Sequence, residues 1–249
     1  MPEGPSLVIL KNAVQMFKGQ KVIAVSGNTS IDKDAIRDLE VIDFKTWGKH
    51  FLICFKNFTV RIHLLMFGSY AINERKGRPE RLSLQFANGE LNFYTCSVQV
   101  IEEPLNEVYD WAADVLNDNW DAKAARKKLK AQPGTLVCDA LLDQNIFAGV
   151  GNIIKNEVLF RIKVSPLTTI GDLPPRKLTE MIHEARNYSF DFLEWKKAFE
   201  LKKHWLVYTK KICARDKTAI IKKHLGKTNR RSFYCPVCQI KYECIKISQ

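Results

Sequence analysis

The first residues with chemistry in them stand at the beginning of the chain, Met1-Pro2-Glu3-Gly4-Pro5. Removal of the initiator methionine exposes a secondary amine at Pro2. An α-amino group titrates near pH ~8, so roughly a tenth to a fifth of it is unprotonated at pH 7. Such amines attack carbonyl-like carbons and form Schiff bases. Glu3, tethered beside the amine, supplies the general acid and base this chemistry needs. The plain alternative is a loose lead into a helix. A second stretch, Leu141-Leu142-Asp143-Gln144-Asn145-Ile146-Phe147-Ala148-Gly149-Val150-Gly151-Asn152, ends in two glycines around a small apolar residue, which permits a sharp backbone reversal. It leaves Asn152 at a helix start, where backbone N–H groups favour a phosphate.

The elements that must position these residues follow from periodicity. Leu7, Leu10, Val14 and Phe17 are spaced for a helix that Gly19 stops, and this helix anchors the N-terminus. Strand patterns then occupy residues 21–26, 40–46, 50–55, 58–64, 82–87 and 91–101, with Asn88-Gly89 as a hairpin signal. Short strands in this number predict a β-sandwich or barrel of about 100 residues. A charged loop, residues 74–81, interrupts them with Gly77 and Pro79 as breakers. From residue 104 the texture turns helical. Helices are predicted over 121–131, 136–144 and 152–161, and from Pro175 towards Lys203. The last stretch reads as strand and turn with clustered cysteines. The expected domains are 1–105, a linker over 106–119, a helical domain over 120–205 and a basic hairpin over 206–249.

Composition narrows the partners. The 249 residues are 46% hydrophobic, which suits two globular cores. No apolar run approaches the ~20 residues of a membrane span, and no signal-peptide pattern opens the chain. The net charge of +12 is concentrated at one end: residues 196–249 hold fifteen Lys/Arg against three acidic residues, while the remainder is balanced. A one-sided basic block points to a polyanion, with nucleic acid before an anionic membrane surface. Seven cysteines without disulfide-like regularity favour a reducing, cytoplasmic setting and thiols used as metal ligands.

Together the Pro2-Glu3 start, the Leu141–Asn152 stretch and Arg230-Arg231-Ser232-Phe233-Tyr234-Cys235-Pro236-Val237-Cys238-Gln239 resemble the formamidopyrimidine-DNA glycosylase / endonuclease VIII family of base-excision repair enzymes. The three motifs stand in the family's order and span nearly the whole chain. The resemblance implies an α+β protein of two lobes, an N-terminal β-sandwich with a flanking helix and a C-terminal helix–two-turn–helix domain carrying a zinc-ribbon-like hairpin. It further implies a monomer that holds double-stranded DNA with oxidised bases or abasic sites between its lobes, nucleoid-associated in a bacterium. Pro2 then corresponds to the nucleophile at C1′ and Glu3 to its acid/base partner. Lys49, Asn152 and Arg230 correspond to three phosphate clamps around an extruded nucleotide, whose extrusion costs a few kcal/mol.

His63-Leu64-Leu65-Met66-Phe67-Gly68 matches the wedge loop that fills the hole left by the flipped base. The purine-repairing branch adds an Arg and a Phe from a second loop; here that loop is Tyr94-Thr95-Cys96-Ser97-Val98-Gln99, with neither. Three consecutive fillers, Leu65, Met66 and Phe67, fit the endonuclease VIII branch and oxidised pyrimidines. The resemblance thus implies a glycosylase with AP lyase activity that takes oxidised pyrimidines and can accept formamidopyrimidines; an 8-oxoguanine/formamidopyrimidine preference and a non-catalytic damaged-DNA-binding relative are the alternatives.

The ribbon departs from the family, which has two Cys-x2-Cys pairs. Cys213-Ala214-Arg215-Asp216 replaces the first, leaving Cys213, Asp216, Cys235 and Cys238 as a set that zinc accepts, with a metal-free ribbon as the alternative. His224 is the rival fourth ligand. A hairpin turning near 226–229 sets His224 opposite Arg231, roughly 13 Å from the metal at strand spacing. Cys54, Cys96 and Cys138 read as small core residues, and Cys244 lies outside the pattern.

Overall fold

The computed structural model describes residues 2–243 and divides into two compact units, one ending at Asp110 and the other beginning at Trp111. In the first, Pro5 sits in the opening turn of α1 (Gly4–Ala13), where a missing N–H costs nothing. Leu7, Leu10, Val14 and, in a following 3₁₀ turn, Phe17 are fully buried. The strands are β1 (Ala24–Ser26), β2 (Asp43–Trp47), β3 (His50–Cys54), β4 (Thr59–His63), β5 (Ser69–Ile72), β6 (Leu82–Phe86), β7 (Gly89–Tyr94) and β8 (Ser97–Ile101).

They form two antiparallel sheets, β1-β6-β7-β5 and β2-β3-β4-β8. Alternation puts Phe51 of one sheet against Phe93 of the other at 5.9 Å between rings, and Phe17 stacks on Phe86 at 4.4 Å. One core therefore serves both sheets and the helix. Each such side chain, fully buried, contributes about 1.5–3 kcal/mol. This core fixes α1, and α1 fixes the first residues.

Three expectations change here. The run 91–101 is two strands, because Thr95 takes a left-handed φ of 51° and passes the chain from one sheet to the other. β5 has no alternating signature; only Ala71 of its four residues is buried. The hairpin expected at Asn88-Gly89 turns one residue earlier, since Phe86 pairs with Gly89.

The second unit follows the short helix α2 (Leu105–Val108). It comprises α3 (Ala122–Lys130), capped by Asp121 Oδ1 on Lys123 N and Ala124 N, then α4 (Val137–Ala140), α5 (Asn152–Arg161), α6 (Pro175–Lys197) and the hairpin β9 (Ile221–Leu225) and β10 (Arg230–Tyr234). Its core runs from Val115 through the helices to Leu225 and Tyr234. The stretch 106–119 is no open linker: Tyr109, Ala113, Asp114 and Val115 are buried.

The helix expected over 136–144 stops at Ala140, where Leu142 N and Asp143 N bond three residues back and the loop tightens. The last helix ends before Lys203. Phe199, at φ 59°, donates to Lys196 O, and Glu200 N donates to Trp195 O, closing a Schellman cap. Among the described residues, no helix is long and apolar enough to cross a membrane.

Candidate functional site

At the N-terminus, Glu3 is the extended N-cap residue of α1 (φ −123°, ψ 172°); its carbonyl accepts Ser6 N at 2.8 Å. Its carboxylate makes no cap bond to that helix, although the residue is wholly buried. Pro2 beside it is partly exposed. Glu3 is therefore a buried carboxylate residue at the positive end of a helix, adjacent in sequence to Pro2.

Lys49 shares the two-residue β2–β3 turn with Gly48, between the paired Trp47 and His50. Under that turn lies an aromatic cluster. Trp47 Nε1 donates to Asp110 O at 2.9 Å, and its ring sits 4.8 Å from Tyr109. His50 Nδ1 and Tyr109 Oη are hydrogen-bonded at 3.1 Å, and His50 faces His63 across the strands. Burial lowers the His50 pKa to about 3, helped by Arg61, His63 and Lys49, so the imidazole is neutral. Burial also lowers His63.

The residues expected to form a wedge lie just beyond β4. Leu64 is buried, while Leu65, Met66 and Phe67 are 51%, 45% and 76% exposed. The loop is closed by Gly68 N donating to Leu64 O at 2.7 Å. A Cβ on Gly68 would lie 2.0 Å from that oxygen, so this close backbone approach requires glycine. Leu65 takes a left-handed φ of 52° at the same turn. The second loop is only Thr95 and Cys96, and Tyr94 is fully buried with its hydroxyl accepting Lys76 N. No long side chain comes from it.

In the second unit the loop before α5 is braced by one side chain. Gln144 Nε2 donates to Leu142 O and Val150 O, and its Oε1 accepts Gly149 N at 3.1 Å. Asn152 opens α5 and is buried, with Oδ1 lacking a hydrogen-bond partner among the described residues. Arg230 is exposed and is the first residue of β10, paired with Leu225.

Three neighbours on α5 that local pattern did not single out hold this region together. Lys155 Nζ donates to Arg231 O and Ser232 Oγ; Asn156 donates to Arg231 O and accepts Phe233 N at 2.8 Å. Glu157 accepts Leu206, Val207 and Tyr208 N–H at 2.9, 3.0 and 2.8 Å. Burial raises the Glu157 pKa, opposed by those three donors and Arg161. Three consecutive polar residues between Ile154 and Val158, all buried, are the only local sign of this role.

Cys213, Asp216, Cys235 and Cys238 come together with ligand atoms within 4.8 Å of one another. Cys213 Sγ lies 3.6 Å from Asp216 Oδ2 and 3.9 Å from Cys238 Sγ; Cys235 Sγ lies 3.1 Å from Asp216 Oδ2. Tetrahedral zinc with these donors sets sulfurs about 3.8 Å apart and sulfur and oxygen about 3.5 Å apart. The donor set therefore fits a metal ion. His224 is absent from it: it pairs with Arg231, as hairpin spacing requires, and its Nδ1 bonds Asn229 O. Cys54, Cys96 and Cys138 are buried and free, and burial pushes the last two thiols up to about 11. Cys244 lies outside the described residues.

Residues 111–191 match the formamidopyrimidine-DNA glycosylase H2TH domain. Among curated proteins, the chain is 30% identical to endonuclease 8-like 3 of Xenopus laevis over 88% of its length, and 29% identical to the Mus musculus protein of that name over 82%. It spans only 38% and 36% of those two relatives. An endonuclease 8-like protein of Acanthamoeba polyphaga mimivirus is 23% identical, over 96% of this chain and all of its own.

Two solved structures share the fold. A viral DNA glycosylase aligns with a TM-score of 0.82 at 20% identity. A Lactococcus lactis formamidopyrimidine-DNA glycosylase, bound non-covalently to DNA containing an AP site, aligns with a TM-score of 0.84 at 21%. Each alignment covers 96% of this chain and 100% of the other.

Proposed function

The chain belongs to the formamidopyrimidine-DNA glycosylase / endonuclease VIII family, and from that premise we propose that it is a base-excision DNA glycosylase with AP lyase activity, directed at oxidised pyrimidines. The observation that carries this reading is the wholly buried Glu3 at the head of α1, one residue from Pro2. Once Met1 is removed, the Pro2 nitrogen attacks C1′ of the damaged nucleotide. The glycosidic bond breaks and the base leaves with the bonding pair, protonated on departure. Opening of the sugar gives an iminium between Pro2 and C1′; the iminium acidifies the C2′ proton, and elimination breaks the 3′ and then the 5′ C–O bond. Glu3 gives and takes the protons at the sugar.

Lys49, Asn152 and Arg230 are assigned to backbone phosphates of double-stranded DNA. Leu65, Met66 and Phe67 are assigned to the space the base vacates; their exposure beside a tight, glycine-closed turn supports that role. The two-residue second loop, without a long side chain, supports the pyrimidine preference. We assign zinc to Cys213, Asp216, Cys235 and Cys238; when bound, it is structural and links the two strands' approaches.

Single-turnover cleavage tests the reading on matched duplexes carrying an oxidised pyrimidine or 8-oxoguanine opposite cytosine. Faster removal of the pyrimidine is expected, with Pro2→Gly and Glu3→Gln both losing base removal by at least ~100-fold. Preference for 8-oxoguanine would overturn the substrate assignment, and an active Glu3→Gln the acid/base one.

A further inference from the structure

The turn between β9 and β10 is not held by its own strands alone. Asp139, a buried residue of α4, accepts Lys227 N at 2.8 Å, Thr228 N at 3.1 Å and Thr228 Oγ1 at 2.7 Å. Gly226, at φ 68°, brings the backbone so close that a Cβ there would lie 2.1 Å from Asp139 Oδ2. That oxygen is engaged by Lys227 N and cannot yield without breaking the bond. Two residues after Thr228 comes Arg230. Leu225, its strand partner, is buried in the core of the same unit. The opposite end of β10, at Cys235, is a further five residues away, about 16 Å at strand spacing.

We infer that Asp139 is a positioning residue for Arg230: its carboxylate fixes the turn from which Arg230 projects, independently of the metal-binding end of the hairpin. Three charge-assisted bonds from one rigid carboxylate set where the turn's backbone lies, and so where β10 begins. A loose turn would let Arg230 sample many positions, and a phosphate contact would then be formed only at an ordering cost. The inference rests on the reading of Arg230 as a phosphate clamp.

A thermodynamic cycle on the full chain tests it. Asp139→Asn, Arg230→Ala and the double variant are titrated with a duplex containing a tetrahydrofuran abasic analogue, across a range of salt. Arg230→Ala is expected to weaken binding about tenfold and to reduce the magnitude of the log K against log salt slope by about 0.9. Asp139→Asn should weaken binding in the same sense and flatten the slope, while the double variant binds no worse than Arg230→Ala alone. Metal content should be unchanged in Asp139→Asn, which separates a displaced turn from an unfolded ribbon. Thr228→Val, which deletes one of the three bonds, is the milder variant should Asp139→Asn not fold, and it should show the same non-additivity.

Losses that multiply in the double variant, with Arg230→Ala behaving as expected, overturn the inference alone. An Arg230→Ala protein with wild-type affinity and slope removes the phosphate assignment and the inference with it.

Discussion

The loop 64–68 and the junction between α5 and the β9–β10 hairpin solve opposite problems. The loop exposes three apolar side chains on a turn closed by a single backbone bond, Gly68 N to Leu64 O. The junction buries polar side chains, Asp139, Lys155, Asn156 and Glu157, and satisfies them across long sequence separations. Exposed Leu, Met and Phe add little to folding, which agrees with the proposed wedge role. Buried charge costs several kcal/mol unless bonded, so the junction is rigid or it does not form. On the proposed function, the difference separates a part that probes from a part that clamps.

Loss of a buried acceptor is the strongest way to break this contrast. Glu157→Ala strands three N–H groups, of which that of Val207 is buried, and should cost about 3 kcal/mol, read as a lowered melting temperature. A cost below about 1 kcal/mol would mean the junction is not rigidly braced. Next comes the metal end. Elemental analysis should find about one zinc per chain, lost in Cys235→Ser and not in His224→Ala. The melting temperature should fall less than in Glu157→Ala, because Lys155 and Asn156 hold β10 without the ion.

An effect confined to acid pH sits under the Lys49 turn. His50 titrates near 3 when folded and near ~6.5 unfolded. Between those values the unfolded chain binds the extra proton. Stability is therefore full above pH ~6.5 and falls by up to about 1.4 kcal/mol per pH unit below it, down to about pH 3. His50→Gln should flatten that acid limb; an unchanged limb would deny the neutral His50–Tyr109 bond its importance. Smallest of all, Phe67→Ala should alter stability by less than about 0.5 kcal/mol while slowing base removal. A large loss of stability would show that the loop packs rather than probes.

Much of this was readable before the structure. The positions of β1–β4 and β6, the helix beginning at Asn152 after Gly149-Val150-Gly151, and the His224–Arg231 register all follow from local spacing. The four candidate ligands meet as expected even though Asp216 departs from the family's ribbon pattern, and His224 is not among them. What local pattern could not carry was partnership at a distance. Thr95 breaks a seemingly continuous strand because its two halves join different sheets. β5 exists because β7 offers it an edge. Lys155, Asn156 and Glu157 interrupt an apolar helix like a solvent face; the hairpin packed on the first two and the backbone of residues 206–208 bonded to the third explain their burial.

The central claim is that the reacting group is the nitrogen of Pro2. A secondary amine has no proton left to lose once it condenses with an aldehyde carbon, so the adduct is a charged iminium that borohydride reduces to a stable amine. The decisive measurement traps the full chain on DNA containing an abasic site with borohydride, digests the adduct and locates the modified residue by mass spectrometry. The account predicts modification at Pro2, poor trapping by Pro2→Gly, and none by protein retaining Met1, whose Pro2 nitrogen is an amide. Efficient trapping by the Met1-retaining form, or an adduct on Lys49 or another lysine, would contradict it.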